Sequence, residues 1–321
     1  MDTLYILGNG FDLAHDLPTQ YWDFREYLQE KDWEFLNEFE KLYNIEPLDE
    51  SEYGYSHELQ EKWDAKVKRT LWSEFEDKMG FPCVDSMLDF SSSVLDNLFL
   101  DTGNIAIKDT MDEYWKDMYG FINKLQEYVC DWISEIDIDG IKPKSKELLY
   151  RDGYFFTFNY TEVLEKVYGI DSVLHIHGSV GDTADIPPIM GHCNKTEIDE
   201  HIQKAKEADE LYDEGGASIH EAIANYLEKI YKDTSENMFF NQNFFSKLHT
   251  VKNIIIMGWS GGEVDIPYLE KIRDSVSKEA KWTVYFHDKK TFDSLQIAFK
   301  KTNIINNYKT EFLDSPKFWE R

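Results

Sequence analysis

Short apolar runs of four or five residues recur along the chain, separated by stretches of helical periodicity. The runs Leu4–Leu7, Tyr154–Phe158, Val173–Ile176, Ile254–Met257 and Trp282–Phe286 predict strands, with a weaker candidate near Ile304–Tyr308. They are nearly continuous rather than alternating, as strands buried on both faces should be. Strands alternating with helices point to an α/β fold with a Rossmann-like, mainly parallel sheet.

The strand spacing is uneven. Between Leu7 and Tyr154 the pattern is helical throughout. Phe35, Leu36, Phe39, Leu42 and Tyr43 form one stripe, and Leu59, Trp63, Val67, Leu71 and Phe75 step by four toward a stop at Gly80. Met111, Trp115, Met118, Ile122, Leu125, Val129, Trp132 and Ile136 predict one long helix with a narrow apolar seam. Another helical stretch covers about 196–232. The simplest organisation is a single domain over 1–321. Its α/β core comprises 1–25, 150–190 and 250–315, and large α-helical insertions occupy 26–149 and 191–249.

Composition narrows the classes. Hydrophobic residues make up 42% of the 321 residues, too many for a disordered acidic chain. The net charge of −28 argues against nucleic-acid binding and against docking on anionic membranes. Residues 26–150 carry 13 basic and 30 acidic side chains, whereas residues 250–321 carry 12 and 10, so the acidity belongs to the insertions rather than to the core. Cys83, Cys130 and Cys193 are widely separated and form no CxxC pair, which excludes a disulfide framework. With no signal peptide and no 18-residue apolar run, the expected location is the cytoplasm.

Four segments carry candidate chemistry. In Leu4–Tyr21 a strand runs into Gly8-Asn9-Gly10, where glycines and a helix start suit a phosphate. The third glycine of the dehydrogenase fingerprint is replaced by Leu13, which disfavours a nicotinamide dehydrogenase. In Phe155–Gly169 a strand ends at Asn159, and Thr161 is a candidate helix cap. In Val173–Asp182, His175 and His177 are two apart, which predicts that they share a strand face, and His177 suits general-base work. His175 reads as a packed or hydrogen-bonded histidine. A zinc site from His175, His177, His192 and Cys193 matches no usual spacing, so no metal is expected. In Asn253–Ile272, Gly258-Trp259-Ser260-Gly261-Gly262 matches the G-x-S-x-G elbow, leaving Asp274 and His287 to complete a serine-hydrolase triad.

Together these segments resemble a family. Leu4–Tyr21, Trp72–Gly80 and Gly262–Ile272 are similar to AbiH proteins, bacterial proteins linked to abortive infection against phage, over a span reaching to about residue 275. The FNYTEVLE and HIHGS pieces resemble the sirtuin-like NAD-binding fold. That resemblance implies NAD, or a related nucleotide, as substrate or ligand. Gly8, Asn9, Gly10, Phe11 and Asp12 would form the phosphate loop, with Thr161, Gly258 and Ser260 as further contacts. Asn159 would hold the ribose or a water, and His177 would match the catalytic histidine. Thr161 stands where sirtuins carry an aspartate, and the sirtuin zinc ribbon is absent, so deacylation is not implied. The implied activity is antiphage hydrolysis of the nicotinamide–ribose bond. The alternatives are a non-catalytic nucleotide sensor and a hydrolase using Ser260. The helical insertions are candidates for a homo-oligomer interface or for sensing a phage-derived trigger.

Overall fold

The structure, a computed structural model, describes residues 1–48, 56–89, 91, 107–150, 152–181 and 186–320. It divides into two compact units. One comprises Met1–Gln20, Val129–Ile189 and Asp233–Arg321, and the other comprises Tyr21–Tyr128 and Met190–Lys232.

The first unit is built on six parallel strands: β1 (Thr3–Leu7), β2 (Tyr154–Thr157), β3 (Val173–His175), β4 (Asn253–Met257), β5 (Lys281–Phe286) and β6 (Lys309–Asp314). Their order is β3-β2-β1-β4-β5-β6. This is the Rossmann-like α/β architecture that the apolar runs predict. The chain winds outward from β1 in one direction and from β4 in the other, so the topological switch lies between them. The register is level there, because Leu7 pairs with both Thr157 and Met257, and Thr157 pairs with His175. Gly8, Phe158, Ile176 and Gly258 therefore follow one another along a single crest.

Each sheet face has its own core. Leu4, Ile6, Phe156, Ile254, Ile256, Trp282 and Val284 pack with Tyr268, Leu269 and Ile272 of helix Ile266–Ser275 and Leu295 and Phe299 of helix Lys289–Lys301. Tyr5, Leu7, Phe155, Ile255, Met257 and Tyr285 face the other way, with Phe11, Leu164, Tyr168 and Phe318. The central strands β1 and β4 are buried almost end to end, whereas β5 and β6 keep Lys281, Thr283 and Glu311 on a face that is solvated at its amino-terminal half.

Three local expectations are corrected. Ile304–Asn307 is a helical turn rather than a strand. Asn303, with φ 56°, starts it, Ile304 and Tyr308 anchor it in the core, and the strand begins at Lys309. The long helix over 111–136 is three pieces, Ile107–Tyr119, a 3₁₀ segment Gly120–Lys124 and Leu125–Glu135, interrupted where glycine weakens the helix. The stripe ending at Phe75 breaks at Leu71 between helices His57–Thr70 and Phe75–Met79.

The second unit is helical, with an aromatic core of Phe24, Phe35, Phe39, Trp72 and Phe75. Its buried charges are paired. Glu40 takes two bonds from Arg25, at 2.7 and 3.0 Å, and one from Trp72 Nε1 at 2.7 Å. Glu76 binds the fully buried Lys232 and accepts from Tyr21 Oη at 3.0 Å and Gly191 N at 3.1 Å. Tyr43 Oη donates to Met79 O. The Trp72–Gly80 stretch is thus a structural hub of this unit.

Candidate functional site

The site is built on the crest of the sheet, where four sequence-distant segments meet. Gly8 N donates to Met257 O and Gly10 N to Gly258 O, which ties the loop after β1 to the loop after β4. The glycines make this approach possible. A methyl on Gly8 would stand 2.8 Å from Gly258 O, and one on Gly258 (φ 77°) would stand 2.4 Å from Phe11 N. The Gly-Asn-Gly pattern thus serves backbone-to-backbone contact at the switch point. Phe11 N donates to Gly8 O, and the Phe11 ring is buried against His15, Tyr168 and Trp319. Asn9 exchanges two hydrogen bonds with Thr19.

One polar cluster lies on the side of helix Val163–Tyr168. Asp12 is buried, and its two oxygens accept from Asn159 Nδ2 at 2.8 Å and Thr161 Oγ1 at 2.6 Å. Burial pushes the Asp12 carboxyl up to about 7, although both hydrogen bonds pull it down. Thr161 is not the helix cap that the sequence suggests, because Glu162 holds that position. The Asn159 carbonyl accepts from His175 Nδ1 at 2.8 Å, and His175 Nε2 lies 2.8 Å from Glu165 Oε1. Burial lowers the His175 pKa, but the Glu165 bond and charge outweigh it and leave it raised. An imidazole between a carbonyl and a carboxylate donates from both nitrogens when protonated.

A second cluster lies on the other side. β3 ends at His175, and Gly178 (φ 78°) closes a turn by donating to His175 O. That turn overturns the expectation of a shared face: His175 meets Glu165, while His177 packs against Tyr268. His177 is the more deeply buried of the two, at 3% exposure, and its ring also meets Phe158 and Tyr160. Its Nε2 lies 3.5 Å from Asp265 Oδ1, while Asp265 Oδ2 accepts from Trp259 Nε1 at 2.8 Å. Phe158 and Tyr160 turn their rings toward His177, and Asn159, between them, turns its amide to Asp12. The side chains of Asn159 and His177 are therefore not brought together.

Asp265 and Glu165 are the carboxylates that sequence reasoning did not assign to the site. The readable signal for Asp265 was an acid two residues before Pro267, at the start of a helix that follows a glycine loop. Ser260 is exposed on that loop. Its proposed triad is not assembled. Asp274 pairs with Arg273 ahead of β5, and His287 faces Asp288 beyond its other end. His192, in the helical unit, uses Nε2 toward Leu227 O and Nδ1 toward Asn194 N. Among the described residues, no group of three or more His, Cys, Asp or Glu is arranged to hold a metal.

A family model described as bacteriophage abortive infection AbiH matches residues 4–286. The chain belongs to the AbiH family. Membership of AbiH implies a function in abortive infection against phage. No curated protein and no solved structure matches the chain. The AbiH match includes all four crest segments described above and ends at the end of β5. Among the described residues, no helix is long and apolar enough to cross a membrane.

Proposed function

We propose that this AbiH chain binds NAD along the carboxyl edge of its sheet and hydrolyses the nicotinamide–ribose bond. The observation that carries the reading is convergence. Gly8–Asp12, Asn159–Thr161, His177 and Gly258–Ser260 come from distant parts of the chain and lie along the same edge of a 3-2-1-4-5-6 sheet, in two clusters near its switch point. That edge is where open α/β sheets take nucleotides, and the resemblance to the sirtuin-like fold points to the same ligand and the same edge. In the proposed reaction water attacks the ribose carbon as the bond to nicotinamide breaks. Nicotinamide leaves with the bonding pair, and the water proton passes to His177 and then to solvent. A positioned base supplies about 10²–10⁴-fold of rate. Purified protein with His177→Ala should therefore consume NAD at least ~10²-fold more slowly than wild type while still unfolding cooperatively, at a lower melting temperature because the ring is packed. Intact NAD with the wild type, in the presence and absence of phage lysate, would overturn the reading.

A second reading, a nucleotide sensor without turnover, is favoured by the internal bonding of the site. Asn159 and Thr161 spend their donors on Asp12, and the Gly8 and Gly10 amides spend theirs on backbone carbonyls. Calorimetry with NAD and ADP-ribose, run beside the turnover assay, separates the two. Binding with intact ligand selects the sensor. The cytoplasm and a homo-oligomer through the helical segments belong to this proposal and are checked by fractionation and by mass in solution.

A further inference from the structure

We infer that Asp265 is the positioning residue of His177. This rests on the reading of His177 as the proton acceptor, and it assigns a role to the Gly262–Ile272 stretch that the nucleotide reading leaves unused.

Three observations carry it. First, the Asp265 carboxylate is fixed on one side. Oδ2 accepts from the buried Trp259 indole at 2.8 Å, and that indole stacks on Phe158 at 6.0 Å. Second, with Oδ2 engaged, Oδ1 lies 3.5 Å from His177 Nε2, within ion-pair range once the imidazole is protonated but longer than a formed hydrogen bond. Third, Asp265 is the N-cap residue of the ten-residue helix Ile266–Ser275. The positive end of that helix favours the ionised carboxylate. The imidazole meanwhile packs against both Phe158 and Tyr268, with ring centroids 5.5 and 5.4 Å away. Tyr268 is itself fixed by the hydrogen bond from Asn237 Nδ2 at 3.1 Å.

The chemical consequence is a choice of tautomer. A carboxylate on the Nε2 side biases the neutral ring toward a proton on that nitrogen, which assigns proton uptake and release to Nδ1. The same carboxylate stabilises the imidazolium formed when Nδ1 accepts. The acid and the histidine come from the segments after β4 and β3, which are not neighbouring strands, so their meeting is a property of the fold rather than of local sequence.

The test uses the full chain with Asp265→Asn, Asp265→Glu and Trp259→Phe. With NAD as substrate, Asp265→Asn should lower kcat roughly 10²–10⁴-fold with KM changed less than about threefold, and Asp265→Glu should recover part of the loss. Trp259→Phe frees the carboxylate to turn and should lower kcat less than Asp265→Asn does. Melting temperature is followed throughout. A kcat loss that tracks loss of folded protein, or a loss confined to KM, overturns the proposal. If the wild type leaves NAD intact, the proposed function fails, and the pairing is then judged by long-range ¹⁵N–¹H spectra of His177. A proton on Nε2 in the wild type that redistributes in Asp265→Ala supports the pair. A wild-type Nε2 without a proton refutes it.

Discussion

Both units bury carboxylates, but they neutralise them differently. In the helical unit Glu40 meets Arg25 in a two-pronged pair, and Glu76 meets Lys232. In the sheet unit Asp12 is held by two neutral donors, an amide and a hydroxyl. A cation on the spot offsets part of what burial costs a carboxylate. Asp12, hydrogen-bonded only by neutral donors in a buried site, is pushed up to about 7 and can trade protons near neutrality. The difference teaches where to look for chemistry: the paired charges mark architecture, and the unneutralised one borders the site.

The largest effects should come from breaking the paired charges. Glu76→Ala leaves the Lys232 ammonium buried without its carboxylate and should destabilise the protein by about 3–5 kcal/mol. The joint replacement Glu76→Leu with Lys232→Met removes both charges and should recover most of that loss, because desolvation offsets much of what a buried pair contributes. Denaturant unfolding of the two variants checks this. A double variant as unstable as the single one would mean that the pair is needed for more than mutual neutralisation.

Acid should then act on the Asp12 cluster and on the buried histidines of the helical unit in opposite directions. The folded pKa of Asp12, about 7, lies above its unfolded value. The folded state therefore holds a proton that the unfolded state has lost, and stability grows as pH falls from 7 toward 4, by at most ~1.4 kcal/mol per pH unit. In the helical unit, burial lowers His192 and His201 to about 4. His201 Nδ1 lies 3.0 Å from His220 Nδ1, and burial also lowers His220. These rings stay neutral in the fold but charge in the unfolded chain below pH 6.5, so their contribution is lost as pH falls from 6.5 toward 4. Unfolding curves at several pH values should show the acid-side gain disappear in Asp12→Asn. The acid-side loss should soften in His201→Gln. If both variants follow the wild-type slope, the contrast between the units fails.

Much of this was legible in the sequence, and the exceptions have physical causes. The runs of β1, β2 and β4 were legible because central parallel strands, covered on both faces, are apolar at nearly every position, and the shorter apolar runs of edge strand β3 and half-solvated β5 still stood out. β6 was misplaced because an edge strand with one solvated face reads K-T-E-F-L-D, while the stronger apolar signal at Ile304 and Tyr308 belongs to the anchors of a helical turn. The crest residues Asp12, Asn159 and Thr161 read from the sequence as ligand contacts, and nothing in the sequence reveals that they bind one another. Their separation along the chain hides that they meet at 2.6 and 2.8 Å. The pairing of His177 with Asp265 was hidden for the same reason. Two residues of spacing would place His175 and His177 on one face only if the strand continued, but it ends at His175 and a turn closed by Gly178 follows.

The smallest test concerns turns. The sheet unit closes helix Val163–Tyr168 with Gly169 at φ 69°, where glycine has no Cβ to strain. The helical unit places Tyr212 at φ 60° between helices Lys195–Glu210 and Glu214–Lys229. Tyr212 is 92% exposed, so no packing is given in return for that conformation. Tyr212→Asn should therefore stabilise the protein by roughly 0.5–1 kcal/mol, because asparagine enters the left-handed region more readily. Gly169→Ala should cost about 1 kcal/mol, and nothing lies within 4 Å of the added methyl, so the cost is conformational alone. Thermal unfolding of the two variants should give shifts of opposite sign. A loss of stability in Tyr212→Asn would mean that the exposed ring is held by something other than its own backbone.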